Sequence, residues 1–141
     1  MTLSNPLQIQ QKIKKLGFRW TRPRQQVIEI FSRHDQPFTI QDVFGKLGGK
    51  KTDLVSVYRS VNLFLKHGVL VTVDSVAEGK RYELSDEYRS HHHHVICQAC
   101  GEVKDIHDCG LEKLEAGIAK ETGFKILRHD LKFMGLCRRC R

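Results

Sequence analysis

Five cysteines lie in the second half of this 141-residue chain, and four of them form two Cys-x-x-Cys pairs. The pairs are Cys97 with Cys100 in "CQAC" and Cys137 with Cys140 in "CRRC". Two such pairs can bring four thiolates to the corners of a tetrahedron, the geometry of structural zinc sites. Thioredoxin-like redox motifs or disulfides are the alternative, but a thioredoxin motif needs a βαβ pattern that is not found here. We therefore predict a structural Zn(II) site. We expect the fifth cysteine, Cys109, to be a small core residue, with a ligand or redox role as the alternative.

Four consecutive histidines, His91 to His94, run directly into the first cysteine pair. The stretch "HHHHVIC" is typical of a β-strand, in which successive side chains point to opposite faces. His91 and His93 would then share one face. His92 and His94 would share the other, so one run could contribute to two metal sites. Imidazole with carboxylate suits Fe(II), Mn(II), Ni(II) or Zn(II), whereas a solvated strand end is the alternative. Residues that could complete such sites are Glu83, Asp105, Glu112, His129 and His34.

Positive charge is concentrated in the first half of the chain. Residues 1–83 contain 14 Lys and Arg against 7 Asp and Glu, whereas residues 84–141 contain 10 against 9. This asymmetry predicts that the first half faces a polyanion such as DNA, with a role in solubility as the alternative. No apolar run approaches the roughly 20 residues of a membrane span, and the N-terminus has no apolar signal region. We expect a cytoplasmic protein with no membrane partner.

The first half is predicted to form four helices and a β-hairpin. Helical spacing of apolar residues is found over residues 7–17, 21–34, 39–49 and 53–68, with Thr21, Thr39 and Asp53 as N-caps. Two alternating stretches then predict a hairpin with its turn near Glu78 and Gly79. This order is typical of a winged helix-turn-helix.

The fourth of these helices is predicted to read DNA. Tyr58 could contact a thymine methyl group, and Arg59 could pair with a guanine edge or a phosphate. Ser56 lies among the polar residues of the same helix. The basic residues expected to contact phosphates are Arg19, Arg22, Arg24, Lys80 and Arg81.

The second half is predicted to be a small α/β domain. After a polar linker at 85–90, the pattern indicates strands at 91–97 and 102–107, a helix at 110–123 and further strand-like alternation in 124–137. Leu111, Leu114 and Ile118 are expected to face inward from the helix. The predicted fold class is therefore α+β, with a winged helix-turn-helix domain at 1–84 and a metal-binding domain at 85–141.

Four segments together resemble the ferric uptake regulator family of bacterial metal-dependent repressors. They are "TRPRQQVIEIF", "VSVYRSVNLFLKHGVL", "YELSDEYRSHHHHVICQACGEVKDI" and "GFKILRHDLKFMGLCRRC". The resemblance runs from about Gly17 to Cys140. It implies a C-terminal dimerisation domain and a homodimer that binds palindromic operator DNA when metallated.

The resemblance also implies three metal sites. The structural zinc falls on the four paired cysteines. The regulatory site between the two domains falls on Glu83, His92, His94 and Asp105, and a second site in the dimerisation domain falls on His91, His93, Glu112 and His129. Pro37 occupies the position where many members have a metal-binding histidine, and His34 is the candidate replacement.

The sensed metal is expected to be Fe(II), with a zinc-uptake regulator second and a peroxide sensor loaded with iron or manganese third. The position of Asp105 is occupied by glutamate in many iron sensors of this family and by aspartate in its peroxide-sensing branch. A zinc-dependent hydrolase is the competing class, but the sequence has no H-E-x-x-H motif and no nucleophile elbow. A haem-responsive regulator is ranked low because no Cys-Pro dipeptide is present. We therefore expect a regulator and not an enzyme.

Overall fold

The computed structural model of the protein describes residues 5–49, 51–73 and 79–141. The chain divides into two compact units, Met1–Ser90 and His91–Arg141. The division falls after the polar segment 85–90, which belongs to the first unit. Within this segment Tyr88 is buried in the first unit's core, and Glu87 accepts a hydrogen bond from Lys12 Nζ at 2.9 Å.

The first unit contains the four predicted helices and a two-stranded antiparallel sheet. The N-cap predictions for two helices are confirmed by side-chain hydrogen bonds. Thr39 forms a capping box with Asp42, and Asp53 accepts from the Ser56 N–H at 2.7 Å. Thr21 occupies the N-cap position but makes no capping hydrogen bond through its side chain. The elements are α1 (Pro6–Lys15), α2 (Arg22–Arg33), α3 (Ile40–Lys46), α4 (Leu54–Lys66), β1 (Leu70–Val73) and β2 (Arg81–Leu84).

The helices and the hairpin enclose one hydrophobic core. Helix α4 supplies Val57, Val61 and Phe64, which are fully buried, and it packs against α2, α3 and β1. The strands pair from Leu70 with Leu84 to Val73 with Arg81, so the predicted hairpin is confirmed. Of its predicted turn, Glu78 lies outside the described residues, and Gly79 has a φ of +71°, which glycine adopts without strain. This core buries one face of α4 and leaves the opposite face, which carries Tyr58, exposed.

The second unit contains a three-stranded sheet and one helix. Its elements are β3 (His93–Cys97), β4 (Val103–Ile106), α5 (Glu112–Thr122) and β5 (Lys132–Gly135), with the strand order β4-β3-β5. Strand β3 pairs antiparallel with β4 and parallel with β5. The central strand therefore carries the last two histidines and the first cysteine, with both flanking strands beside them. Within the segment 124–137, which was predicted to show strand-like alternation, only β5 (Lys132–Gly135) forms a strand.

The second unit has little hydrophobic core. Across residues 91–141, all of which are described, the buried hydrophobic residues are Ile96 and Cys97. No residue of α5 is buried, and Leu114 and Ile118 are 57% and 40% exposed. The prediction that these two residues face inward is wrong within the second unit, because no other element of this unit, all of which is described, covers the apolar stripe of α5.

In the part of the chain that the structure describes, no helix is both long enough and apolar enough to cross a membrane.

Candidate metal centres and nucleic-acid interface

The structure brings the four paired cysteines together into one group, here called the cysteine cluster. Their sulfur atoms all lie within 4.8 Å of one another, and Cys100 Sγ is 3.7 Å from Cys137 Sγ. In a tetrahedral site with Zn–S distances of about 2.3 Å, neighbouring sulfurs lie about 3.8 Å apart. All five cysteines of the chain are free thiols. The donor set and its spacing therefore fit zinc.

Two tight turns at the ends of β3 and β5 position the cysteine cluster. The Gly101 N–H donates to the Cys97 carbonyl at 2.9 Å, and Gly101 has a φ of +72°, a conformation that favours glycine. The Cys140 N–H donates to the Cys137 carbonyl at 2.9 Å in the second turn. Because β3 and β5 run parallel, both turns lie at the same end of the sheet.

The thiols of the cysteine cluster differ in acidity. Backbone N–H groups, led by that of Cys137 at 3.3 Å, donate to Cys97 Sγ and lower the pKa of this thiol to about 6. Hydrogen bonds with the Cys137 and Cys100 side chains raise the pKa of Cys140 to about 12. A thiolate is the form that binds metal, and a bound cation favours this form at every ligand. The N–H donors at Cys97 therefore already favour the charge state that a metal requires.

A second group, the histidine–cysteine cluster, contains His91, His93, Cys109 and His129. The three imidazole Nε2 atoms lie 2.9–3.1 Å from one another, and Cys109 Sγ lies 3.5 Å from His129 Nε2. Burial and the neighbouring His91 and His129 lower the pKa of His93, which favours its neutral, metal-binding form. The backbone N–H of Leu131 donates to His93 Nδ1 at 3.2 Å. A metal on Nε2 would require a proton on Nδ1, so this long contact would be lost on binding.

The membership of this cluster differs from the set that the resemblance implied. Glu112 is exposed at the first position of α5 and does not belong to the group, whereas Cys109 does. The expectation that Cys109 is a core residue is wrong, since this half-buried residue sits in the loop before α5 with its sulfur near His129. Glu115, one helical turn after Glu112, accepts a hydrogen bond from His129 Nδ1 at 2.6 Å.

The third set, here called the His92 face, contains His92, His94 and Asp105. The imidazole rings of His92 and His94 lie 4.9 Å apart between centroids, so the expected pairing of histidines by parity is observed. His94 and Asp105 are directly opposite each other on β3 and β4, and His94 Nδ1 lies 3.3 Å from Asp105 Oδ1. The imidazole of His107 lies 6.2 Å from that of His92. Two imidazoles and one carboxylate thus share one side of this sheet.

The two remaining predicted metal ligands, Glu83 and His34, belong to the first unit. Glu83 is the penultimate residue of β2, and its carboxylate accepts a hydrogen bond from Arg89 Nη1 at 2.8 Å in an ion pair with little exposure. His34 ends α2, with Nδ1 2.9 Å from the Ile30 carbonyl oxygen and its ring edge-on to Phe38. Within the first unit, both side chains therefore already have polar partners.

The residues predicted to contact DNA lie in the first unit, mostly at its surface. In α4, Tyr58 is 55% exposed and Arg59 is exposed, while Ser56 is half-buried with its N–H donating to Asp53. Arg24 donates to the Arg19 carbonyl, and its guanidinium lies 6.0 Å from the ring centroid of Phe18. The other predicted phosphate contacts comprise exposed Arg19, Arg22 and Lys80 and half-buried Arg81.

Sequence reasoning missed Glu115, and it considered a ligand role for Cys109 only as the alternative to a core position. A loop residue carries no periodic signal, so its position relative to His129 could not be inferred. Glu115 stands three residues after Glu112 on the same helix, and helical geometry places both carboxylates on one face. That spacing was the available signal.

Comparison with known proteins identifies close resemblances over almost the whole chain. The profile of the ferric uptake regulator family matches residues 15–134. A ferric uptake regulation protein from Bordetella parapertussis is 33% identical over 135 residues, covering 93% of this chain and 95% of that protein.

Two solved structures show the same fold. The ferric uptake regulator of Helicobacter pylori, described as having three functional metal binding sites, matches with a TM-score of 0.84 and 25% identity, covering 99% of this chain and 96% of that one. A zinc-bound manganese uptake regulator matches with a TM-score of 0.70 and 26% identity, covering 92% and 98% of the two chains. These similar proteins are named for different metals.

Proposed function

Because the chain belongs to the ferric uptake regulator family, whose members are metal-responsive transcriptional regulators and not enzymes, we propose that it is an Fe(II)-responsive repressor. In this proposal it acts as a homodimer that binds palindromic operator DNA. The observation that carries the proposal is the His92 face, where His92, His94 and Asp105 come together on one side of the second unit's sheet.

The chemistry of the His92 face suits a regulatory divalent cation. Imidazole nitrogen with carboxylate oxygen is a donor set for Fe(II), and it also accepts Mn(II) and Zn(II). A bound cation would attract the two imidazole nitrogens and the carboxylate oxygen and hold them around a single centre. Protonation of either imidazole removes its lone pair, so His92 and His94 must be neutral for binding.

Glu83 is proposed as a further ligand on the strength of the family resemblance. Its carboxylate is already paired with Arg89 at 2.8 Å. Metal binding by Glu83 would therefore have to share this carboxylate with Arg89 or displace the guanidinium. His34 remains the candidate to replace the ligand missing at Pro37. A metal bound through Nδ1 would break the contact of this atom with the Ile30 carbonyl oxygen, whereas a metal bound through Nε2 would leave it in place.

The cysteine cluster is proposed to hold a structural Zn(II). Four thiolates in two turns form a closed donor set with no position left for a substrate. The cluster ties the end of β5 to the end of β3 in a unit that buries only Ile96 and Cys97 among its hydrophobic residues. Its role would be to stabilise the unit that carries the other ligands.

A homodimer is supported by the apolar surface of the second unit. Helix α5 presents exposed Leu114 and Ile118, and the edge strand β5 presents Phe133 and Met134, each about half exposed. Exposed apolar patches are typical of interaction sites. A second copy of the chain would cover it and complete a core that one chain lacks.

Binding to DNA is proposed to use α4 as the reading helix. Tyr58 and Arg59 are exposed on this helix, while Val57 and Val61 hold it in the core. A helix-turn-helix dimer reads two half-sites about one helical turn of DNA apart. Metal binding would favour the conformations in which both reading helices match that spacing, which is a shift in populations.

A zinc-uptake regulator of the same family is the second candidate, since the same ligands accept Zn(II). A peroxide sensor is the third, because Asp105 occupies a position where that branch carries aspartate. The choice among these rests on which metal promotes DNA binding and on whether peroxide abolishes it.

The test is a titration of operator DNA binding by fluorescence anisotropy under anaerobic conditions. Protein that holds only the zinc of its cysteine cluster would receive Fe(II), Mn(II) or Zn(II) in turn. We expect Fe(II) to promote binding, although the Irving–Williams order gives Zn(II) the higher affinity for the same donors. His91→Ala is the matched control for His92→Ala, since its side chain lies in the other cluster. Binding that needs no added metal, or that His92→Ala leaves unchanged, would refute the proposal.

A further inference from the structure

The three imidazoles of the histidine–cysteine cluster are arranged as ligands and not as a hydrogen-bonded network. Their Nε2 atoms form a triangle with sides of 2.9–3.1 Å. Each neutral Nε2 carries either one proton or one lone pair, so three mutual contacts cannot all be well-directed hydrogen bonds. Nitrogen atoms that converge in this way fit a shared cation, which would spread them slightly.

The sulfur of Cys109 occupies a fourth position around the same point. It lies 3.5 Å from His129 Nε2, and all four donor atoms are within 4.8 Å of one another. Tetrahedral zinc with Zn–N of about 2.0–2.1 Å and Zn–S of about 2.3 Å places neighbouring donors about 3.3–3.6 Å apart. Gly110, with a φ of +58°, turns the chain immediately after Cys109 and before α5.

The hydrogen bond at His129 also fits a metal ligand. Glu115 Oε1 accepts from His129 Nδ1 at 2.6 Å, which fixes the proton on Nδ1 and leaves the Nε2 lone pair directed at the cluster. Carboxylates that orient metal-bound histidines in this way also raise the basicity of the ligand. Glu115 is therefore a positioning residue and not itself a ligand.

We propose that Cys109, together with His91, His93 and His129, forms a closed four-coordinate metal site, and that Glu112 is not one of its ligands. The inference goes beyond the proposed function, which assigns no ion to this cluster, and it rests on that function only in taking this unit to be a metal-binding one. It changes the chemistry of that metal site, because a thiolate replaces a carboxylate.

This ligand set selects among metals. Thiolate and imidazole ligands favour Zn(II), whereas carboxylate oxygens favour Mn(II) and Mg(II). A site with three nitrogens and one sulfur therefore prefers zinc over manganese. The His92 face, with nitrogen and oxygen donors, discriminates less strongly between these ions. The two sides of one histidine run would thus differ in metal preference because of a single cysteine.

The test uses Co(II) as a spectroscopic probe of sulfur ligation. The starting protein is full-length His92→Ala with one zinc per chain in the cysteine cluster, so that Co(II) reports on the remaining cluster. Zinc content is measured before and after, to show that the cysteine cluster has not exchanged. We expect a sulfur-to-cobalt charge-transfer band, and we expect Cys109→Ser to abolish it and to weaken Zn(II) binding at least about 10-fold.

Two further variants separate the ligand from its neighbours. Glu112→Gln, the matched control at the start of α5, should keep both the band and the affinity. Glu115→Gln should keep the band while weakening binding by about 10–100-fold, as expected for a residue that orients a ligand. An unchanged band in Cys109→Ser, no band in any variant, or loss of binding in Glu112→Gln would overturn the inference.

The outcome of the cobalt experiment does not depend on whether the protein binds DNA. If the wild-type protein failed to bind operator DNA in response to metal, the proposed function would fail while the cobalt spectrum still decided the ligand set. If the spectrum failed while metal-dependent DNA binding persisted, only the role of Cys109 would be lost.

Discussion

Replacement of Cys137 by serine should unfold the second unit while leaving the first unit intact. The reason is the uneven distribution of buried apolar surface between the units. The core of the first unit contains 17 buried residues, whereas the buried hydrophobic residues of the second are Ile96 and Cys97. Full burial of one isoleucine contributes about 1.5–3 kcal/mol. Ordering the backbone costs about 1–2 kcal/mol for every residue, so Ile96 alone cannot hold three strands together.

The expected magnitude follows from the cysteine cluster. Structural zinc contributes roughly 10–16 kcal/mol of apparent binding free energy in small zinc-dependent folds at pH 7. Loss of even about 4 kcal/mol raises the population of the open state, and with it amide exchange, by about 1000-fold. Cys137→Ser should therefore lose about one zinc per chain, with much faster exchange at β3, β4 and β5.

Hydrogen–deuterium exchange with mass spectrometry, together with zinc analysis, measures both effects. Peptides that cover α4 should exchange as in the wild-type protein, because α4 belongs to the other core. Cys109→Ser is the matched control, since it removes a thiol outside the cysteine cluster and should keep that zinc. A zinc-depleted Cys137→Ser protein with normal protection in the second unit would refute the reasoning.

Three further outcomes are expected. Arg59→Ala should weaken operator binding by about 1–3 kcal/mol and relax base preference, while Lys80→Ala should weaken binding to all sequences alike and lower its salt dependence. Anisotropy with operator and random duplexes measures both, and identical behaviour of the two variants would argue against α4 as the reader. His92→Ala should abolish metal-dependent DNA binding and keep the cysteine-bound zinc, whereas His91→Ala should have a smaller effect on DNA binding. Equal small losses of DNA affinity in titrations of the two variants would contradict the assignment of His91 and His92 to different metal sites. Leu114→Glu should place a charge on the apolar stripe of α5 and give a monomer by analytical ultracentrifugation, whereas an unchanged dimer would exclude α5 from the interface.

Local patterns in the sequence were sufficient to predict most of the fold. Helices α1 to α4 follow from apolar residues at helical spacing, and Thr39 and Asp53 mark two starts because their side chains accept from exposed backbone N–H groups. The parity of the histidine run followed from strand geometry alone. These features depend on neighbours within a few residues, which is why one sequence reveals them.

Features that depend on distant or absent neighbours were harder to predict. Leu114 and Ile118 form a regular apolar stripe, but the pattern cannot say whether one chain or two cover it. Cys109 approaches His129 through a loop whose path depends on Gly110 and on the start of α5. The resemblance pointed instead to Glu112, which is three residues away in sequence and faces solvent. Loop paths and subunit contacts therefore mark the limit of the sequence-based prediction.

The parallel pairing of β3 with β5 has a consequence for how this unit can vary. Cys97 and Cys137 are separated by 40 positions, and the chain between them forms β4, the loop with Cys109, α5 and β5. Closure of a flexible loop depends only logarithmically on its length, so doubling this segment would cost about 0.6 kcal/mol in loop-closure entropy. The loops of the intervening chain can therefore accept insertions or exchange their ligands at little cost in closure entropy, provided that β4, α5 and the two turns at the sheet end are kept. A unit joined in this way can acquire a different metal preference through changes in the segment between its cysteine pairs while its framework stays the same.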